Sequence, residues 1–147
     1  MKVIVDTTVW SLALRRRSTD LAADERRLVA EWAELVKEGR VGLLGIVRQE
    51  VLSGIPDGAA ARRLRDVLRA FPDVVASFLD HEAAAEAFNR CRAKGVAGSP
   101  VDFLICAVAI RLEAPVFTTD ADFAVYARHL PLSLHAPRPG LAPWSGA

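Results

Sequence analysis

Short apolar runs alternate along the chain with longer segments in which apolar residues recur at helical spacing. The first run, Val3–Val5, is β-branched, too short for a helix and apolar on both faces, which is typical of a strand buried in a parallel sheet. Similar runs predict strands over Val41–Gly45, Pro115–Thr118 and Leu132–His135, and we interpret residues 74–79 as a short extended connection.

Amphipathic segments between these runs predict helices. The clearest is Leu21–Lys37, in which apolar residues recur at i, i+4, i+7 and i+8 and Gly39 follows where a helix stop is expected. The other helices are predicted over Thr7–Leu14, Ile46–Ile55, Ala59–Phe71, Glu82–Lys94, Pro100–Glu113 and Asp122–Leu130.

Strands that alternate with helices of this length imply right-handed crossovers. They predict a single three-layer α/β/α domain with a central, mostly parallel sheet. The chain of 147 residues is long enough for one domain with one core. We expect this domain to span residues 1–136. The remaining segment, 137–147, is rich in proline and glycine and is predicted to be loosely attached.

The composition is that of an ordinary globular protein, with 52% hydrophobic and 25% charged residues. A net charge of +1 gives no overall field that would indicate a nucleic-acid-binding protein. Local basic clusters more often form solvated helix faces than phosphate contacts, and only an accompanying acidic site changes that weighting. The consecutive arginines Arg15, Arg16 and Arg17 are the clearest such cluster.

Cysteine and hydropathy patterns bear on the cellular compartment. Cys91 and Cys106 are too few for a disulfide framework and lack paired metal-ligand spacing, so both are predicted to be buried thiols, which suits a reducing cytoplasm. Neither a signal-peptide core nor a membrane span is predicted, and we expect a soluble cytoplasmic protein. Three scattered histidines are interpreted as surface residues: His81, His129 and His135.

Acidic residues recur where a predicted strand gives way to a helix, or just inside that helix. They are Asp6, Glu50, Asp102 and Asp120, with Asp122 beside the last. Each has a structural explanation. Asp6 and Asp120 have the character of helix N-caps. Asp102 ends a capping box that begins at Ser99, and Glu50 alone is typical of an exposed helical residue.

Taken together, these acids are harder to explain as caps, because capping does not require successive strand ends in one domain to present an acid. Parallel strands bring their carboxyl ends to one edge of a sheet. Clustered carboxylates repel one another unless their pKa values rise or a cation neutralises them. Oxygen ligands without His or Cys favour Mg²⁺ or Mn²⁺ over zinc, and such an ion activates water for attack on a phosphodiester.

Four motifs in this order resemble those of PIN-domain ribonucleases of the VapC type, toxins of type II toxin–antitoxin systems. The similarity extends from Lys2 to His135 and is carried by Val-Ile-Val-Asp6-Thr-Thr-Val-Trp10, Gln49-Glu50-Val-Leu-Ser-Gly54, Ser99-Pro-Val-Asp102-Phe-Leu-Ile and Thr118-Thr-Asp120-Ala-Asp122-Phe123.

The resemblance implies a Mg²⁺- or Mn²⁺-dependent endoribonuclease that is held inactive by a small cognate antitoxin and forms a homodimer. It implies catalytic and metal-binding roles for Asp6, Glu50, Asp102 and Asp120. Asp122 is an alternative or additional ligand beside Asp120. Thr8 and Thr118 match positions where a hydroxyl supports the site, and Arg15–Arg17 become candidate RNA contacts.

One position departs from the family pattern, and two other functional classes are considered beside the nuclease. Gly45 stands where the family often has Ser or Thr, which is expected to loosen the hydrogen bonding before the Glu50 helix. The main alternative is a non-catalytic module that binds RNA or protein, in which the acids only cap helices. A phospho-acceptor receiver domain is a third hypothesis, but the lysines are poorly placed for it.

Overall fold

A computed structural model describes residues 1–142 and 144; Pro143 and residues 145–147, part of the predicted tail, lie outside the described residues. Its regular elements are four strands, seven α-helices and one 3₁₀ turn at Ser18–Asp20. They are β1 (Val3–Val5), α1 (Thr7–Leu14), α2 (Ala23–Lys37), β2 (Val41–Leu44), α3 (Gly45–Leu52), α4 (Gly58–Leu68), β3 (Asp73–Val74), α5 (Phe78–Ala93), α6 (Pro100–Arg111), β4 (Val116–Phe117) and α7 (Asp122–Tyr126).

The strands form one parallel sheet in the order β3-β2-β1-β4. β1 therefore lies in the middle, with Val3 opposite Val41 on one side and Ile4 opposite Val116 on the other. All three residues of β1 are fully buried, because helices cover both faces of the sheet. The predicted three-layer α/β/α fold is confirmed.

Local sequence signals explain where several helices begin and end. Gly39 ends α2 with a φ of +67°, a left-handed conformation that glycine adopts at little cost. Asp57 caps α4 by accepting a hydrogen bond from the Ala59 amide, and the Ser99 hydroxyl oxygen caps α6 by accepting one from the Asp102 amide. The capping residue predicted before α6 is thus confirmed.

Some predicted boundaries differ from the structure. The strand predicted over Leu132–His135 is reduced to a single bridge between Leu134 and Val116. Pro131, just before this segment, has no backbone amide with which to extend the pairing. Helix α7 ends at Tyr126 rather than Leu130, and α5 begins at Phe78, four positions before the predicted start. The Ser77–Asp80 capping interaction explains that earlier start.

The segment after residue 136 was expected to be loosely attached, and its described part is not. Glu31, fully buried in α2, accepts hydrogen bonds from His135 Nε2 at 2.9 Å and from the Arg138 backbone and side chain at 3.1 and 2.9 Å. Trp144 packs on a cluster that includes Leu12 and Val29. A buried carboxylate requires such partners, so the expectation is wrong for these residues.

His135 also departs from its expected surface position. Its side chain is 12% exposed and bound to Glu31, whereas His81 is exposed and His129 is partly buried. Cys91 and Cys106 are buried free thiols, as predicted. No helix in the described part of the chain is long and apolar enough to cross a membrane.

Candidate acidic site

Strand β1 delivers Asp6 to the edge of the sheet, where the chain turns into α1. The side chain is only 5% exposed. Its Oδ1 accepts a hydrogen bond from the Thr7 amide at 2.8 Å, so Asp6 is the N-cap of α1. Its Oδ2 accepts hydrogen bonds from the Thr118 and Thr8 hydroxyls at 2.7 and 3.3 Å. The capping explanation is therefore correct for Asp6 but accounts for only one of its oxygens.

The two threonines expected to support the site connect β1 to the loop after β4. The Thr8 and Thr118 hydroxyls lie 3.4 Å apart. Thr118 Oγ1 also accepts a hydrogen bond from the Asp120 amide at 3.0 Å, and Thr8 Oγ1 accepts one from the Thr119 amide at 3.1 Å. These hydroxyls thereby fix the loop that carries Asp120 relative to Asp6.

Glu50 reaches the site from α3 through a residue that the sequence did not indicate. The carboxylate is exposed, as the structural explanation for it expected, and its Oε1 accepts a hydrogen bond from the Thr7 hydroxyl at 2.7 Å. Thr7 therefore contacts Asp6 through its amide and Glu50 through its hydroxyl. The bond joins the start of α1 to α3.

Three further carboxylates meet on the other side of the site. Oxygen atoms of Asp102, Asp120 and Asp122 all lie within 4.8 Å of one another. Asp102 comes from the first turn of α6, and Asp120 accepts a hydrogen bond from the Asp122 amide at 2.9 Å at the start of α7. The structure thus brings both Asp120 and Asp122 to Asp102, whereas Asp6 and Glu50 lie outside this group of three.

Asp102 is held by a second residue that the sequence did not indicate. The Tyr126 hydroxyl donates a hydrogen bond to Asp102 Oδ2 at 2.8 Å. Burial and the hydrogen bond to Asp102 raise the pKa of Tyr126, so the phenol remains a donor at neutral pH. No local pattern reveals this contact, since Tyr126 has the appearance of an ordinary core aromatic residue in its helix.

The pKa values of two of these carboxyl groups, Asp6 and Asp102, are raised. Burial raises the pKa of Asp6, and the charge of Asp102 raises it further, against the hydrogen bonds that Asp6 accepts. Burial likewise raises the pKa of Asp102, and the charges of Asp120 and Asp122 add to that effect while the Tyr126 hydroxyl opposes it. A nearby cation would offset the repulsion that contributes to these shifts.

The donor set fits a hard divalent cation. Within the described residues, the clustered ligand atoms are carboxylate oxygens, with no imidazole or thiolate among them. Such a set suits Mg²⁺ or Mn²⁺ and is a poor match for zinc. Asp102, Asp120 and Asp122 would hold such an ion, and Asp6 is near enough to interact electrostatically with Asp102.

A cleft of about 460 Å³ opens beside the site. Hydroxyl-bearing Thr7, Thr8 and Ser11 line it, and Arg16 lines it as well. Of the three consecutive arginines, Arg16 is the one that reaches this cleft, where its guanidinium lies 3.4 Å from Glu25. All three arginines are exposed.

Comparisons with known proteins agree with this geometry. A family model described as the PIN domain matches residues 3–129. The VapC ribonuclease Mb1587 of Mycobacterium bovis and ribonuclease VapC11 of Mycobacterium tuberculosis are each 31% identical over 128 residues, which is 86% of this chain and 92% of those proteins.

Solved structures with the same fold are much more distant in sequence. FitAcB from Neisseria gonorrhoeae has a TM-score of 0.71 at 20% identity and covers 92% of this chain and 97% of that chain. VapBC2 from Rickettsia felis, bound to a DNA fragment from its promoter, has a TM-score of 0.70 at 18% identity. The match covers 92% of this chain and 98% of that chain.

Proposed function

This chain belongs to the PIN-domain family and is of the VapC type, and from that membership and its acidic site we propose that it is a Mg²⁺- or Mn²⁺-dependent endoribonuclease. The observation that carries the proposal is the convergence of Asp102, Asp120 and Asp122 within 4.8 Å. Capping does not explain this convergence, because α6 is capped by Ser99 and the Asp102 carboxylate caps no helix.

The acids and the threonines of this site have different proposed roles. Asp102, Asp120 and Asp122 would hold the ion, while Asp6 adds negative charge from the buried end of β1. A bound divalent ion supplies Lewis-acid stabilisation of the charge that develops on a phosphodiester and activates water for in-line attack. Thr8 and Thr118 orient Asp6, and Thr7 orients Glu50, so that the acids keep their positions as the substrate enters.

RNA contact is proposed at Arg15–Arg17, with Arg16 as the principal residue because it lines the cleft beside the acids. Its ion pair with Glu25 joins side chains that are 54% and 29% exposed, and it is weak enough to exchange for a phosphate. Replacing Arg16 by Ala should raise KM for RNA several-fold with little change in kcat. The same change at Arg63, which is exposed on α4 and does not line the cleft, serves as the control.

The experiment that tests the activity compares the parent chain with Asp6→Asn, Asp102→Asn and a control, Asp66→Asn, in which the altered acid is exposed on α4. Mn²⁺ is titrated calorimetrically into each metal-free protein, and total RNA is then incubated with and without metal. We expect Asp102→Asn to lose both Mn²⁺ binding and cleavage, Asp6→Asn to lose cleavage, and Asp66→Asn to keep both.

Two results would contradict the proposal. Full cleavage by Asp102→Asn in Mg²⁺ would show that the acidic cluster does not carry the chemistry. A parent protein that binds RNA but neither binds Mn²⁺ nor cleaves would favour the non-catalytic module, in which the acids serve as caps and hydrogen-bond acceptors.

We propose that the protein acts in the cytoplasm with a small cognate antitoxin and as a homodimer. The VapBC2 structure from Rickettsia felis supports the first partner. Exposed apolar side chains close together in the sequence support the homodimer. Val75, Phe78 and Leu79 are 72%, 73% and 61% exposed. Light scattering of the purified chain tests the dimer, and Phe78→Asp should yield monomers that still bind Mn²⁺.

A further inference from the structure

A buried tyrosine connects α6, which carries Asp102, to α7, which begins at Asp122. Tyr126 lies four positions after Asp122 in α7, so the two side chains lie on the same face of that short helix. The Tyr126 hydroxyl reaches across to α6 and donates to Asp102 Oδ2 at 2.8 Å. One residue thus links the helix that bears Asp122 to the side chain of Asp102.

The position of that hydroxyl is fixed by packing. Tyr126 is fully buried, and its ring contacts Phe103 and Phe123 at centroid distances of 4.8 and 5.3 Å. Gly98 lies directly against it, since a Cβ at Gly98 would come within 2.8 Å of Tyr126 Cζ. The tyrosine therefore has no room to follow a moving carboxylate.

An aspartate carboxylate, in contrast, turns easily about its last torsion. The hydrogen bond from the Asp102 amide to the Ser99 hydroxyl fixes the backbone at the start of α6 and does not itself orient the carboxylate. The 2.8 Å hydrogen bond from Tyr126 restricts this rotation, and the Ser99 side chain at the start of α6 also interacts with the carboxylate.

We infer that Tyr126 is a positioning residue that holds the Asp102 carboxylate in the orientation required for divalent-cation binding. This inference rests on the proposed metal-dependent function. Partners of ligating carboxylates typically change metal affinity by one to two orders of magnitude when they are removed. Tyr126 is also the only tyrosine in the chain, so spectroscopy can observe it selectively.

The test is calorimetric titration of Mn²⁺ into the parent, Tyr126→Phe and Phe88→Leu. Tyr126→Phe removes the hydroxyl and keeps the ring, whereas Phe88→Leu removes a neighbouring aromatic contact with Phe103 and leaves the ring contacts of Tyr126 in place. We expect Mn²⁺ affinity to fall about tenfold or more in Tyr126→Phe and to change little in Phe88→Leu. Equal affinity in the parent and Tyr126→Phe, or an equal loss in both variants, would overturn the inference.

A second measurement uses the intact protein and does not depend on any variant's stability. The Raman doublet of the single tyrosine reports whether its hydroxyl donates a strong hydrogen bond. We expect a strong donor in the metal-free parent and a change in the doublet when Mg²⁺ binds. A doublet typical of a free or accepting phenol would overturn the inference.

The two proposals fail in different ways. A parent that binds no Mn²⁺ and cleaves no RNA refutes both. A parent that binds and cleaves, with Tyr126→Phe unchanged in Mn²⁺ affinity, refutes only the role of Tyr126.

Discussion

Gly98 is the position at which the smallest substitution should have a large effect on stability. A Cβ there would lie 2.7 Å from Phe103 Cε2 and 2.8 Å from Tyr126 Cζ, and would also collide with the Tyr126 hydroxyl. Tyr126 and Phe103 are 0% and 1% exposed, so neither ring can move aside into solvent. The backbone of Gly98 has an ordinary φ, and the cost of alanine therefore arises from packing rather than backbone strain.

Two contributions determine how much Gly98→Ala should lower the free energy of unfolding. Overpacking a close-packed core costs about 1–3 kcal/mol. Displacing Tyr126 also weakens its hydrogen bond to Asp102, and hydrogen bonds to charged groups contribute about 1.5–3 kcal/mol. We expect Gly98→Ala to lower the free energy of unfolding by about 2–5 kcal/mol, which for a chain of this length lowers Tm by about 5–15 °C.

The assay is thermal unfolding of metal-free protein followed by circular dichroism, with Gly45→Ala as the control. A Cβ at Gly45 meets nothing within 4 Å, so this variant should be as stable as the parent or up to about 1 kcal/mol more stable. The double variant Gly98→Ala with Tyr126→Phe should lose less than the two single losses together, because removal of the hydroxyl relieves one collision. A Gly98→Ala protein that melts within about 2 °C of Gly45→Ala would refute the reasoning.

Three further predictions concern charge and burial. Burial raises the pKa of Asp6 above its usual value of 3.8, so metal-free stability falls as pH rises through the interval between the unfolded and folded values. In EDTA at pH 7, the Tm of Asp6→Asn should therefore equal or exceed that of the parent, and the difference should vanish below pH 3.8. A lower Tm for Asp6→Asn at pH 7 would contradict this. Truncation after Ala136 removes the Arg138 hydrogen bonds to buried Glu31 and should lower Tm. Adding Glu31→Gln to the truncated protein should recover part of the loss. An unchanged Tm after truncation would show that the contact contributes nothing. Burial raises the pKa of Cys91, and it raises the pKa of Cys106 to about 12. Both thiols should therefore resist a disulfide reagent at pH 8 until the protein unfolds. Rapid labelling of the native protein would contradict this prediction.

The sequence predicted those parts of the site that depend on local order along the chain. Asp6 follows a buried strand directly, and Asp120 and Asp122 follow β4, so the end of each strand indicated where its acid would lie. Parallel pairing then brings such ends to one edge of the sheet. Sequence order could not show that both Asp120 and Asp122 approach Asp102, because this depends on how α7 begins.

Other contacts depend on tertiary packing and left no sequence signal. Glu31 has the pattern of an ordinary acid in an amphipathic helix, and its partners His135 and Arg138 lie more than a hundred positions later. Proline and glycine around Arg138 indicated a loose tail, yet the cost of burying the Glu31 carboxylate requires that the tail stay attached. Thr7 and Tyr126 were missed for the same reason, since each acts through a partner that is distant in sequence.

The central position of β1 determines when during synthesis the site becomes complete. The first strand to leave the ribosome pairs with β4, and Asp6 accepts its shortest hydrogen bond from Thr118, 112 positions later. A nascent chain that ends before β4 therefore lacks both the Thr118 hydrogen bond to Asp6 and two of the three clustered acids. The proposed metal site can therefore form only after β4 and the loop that follows it have been synthesised.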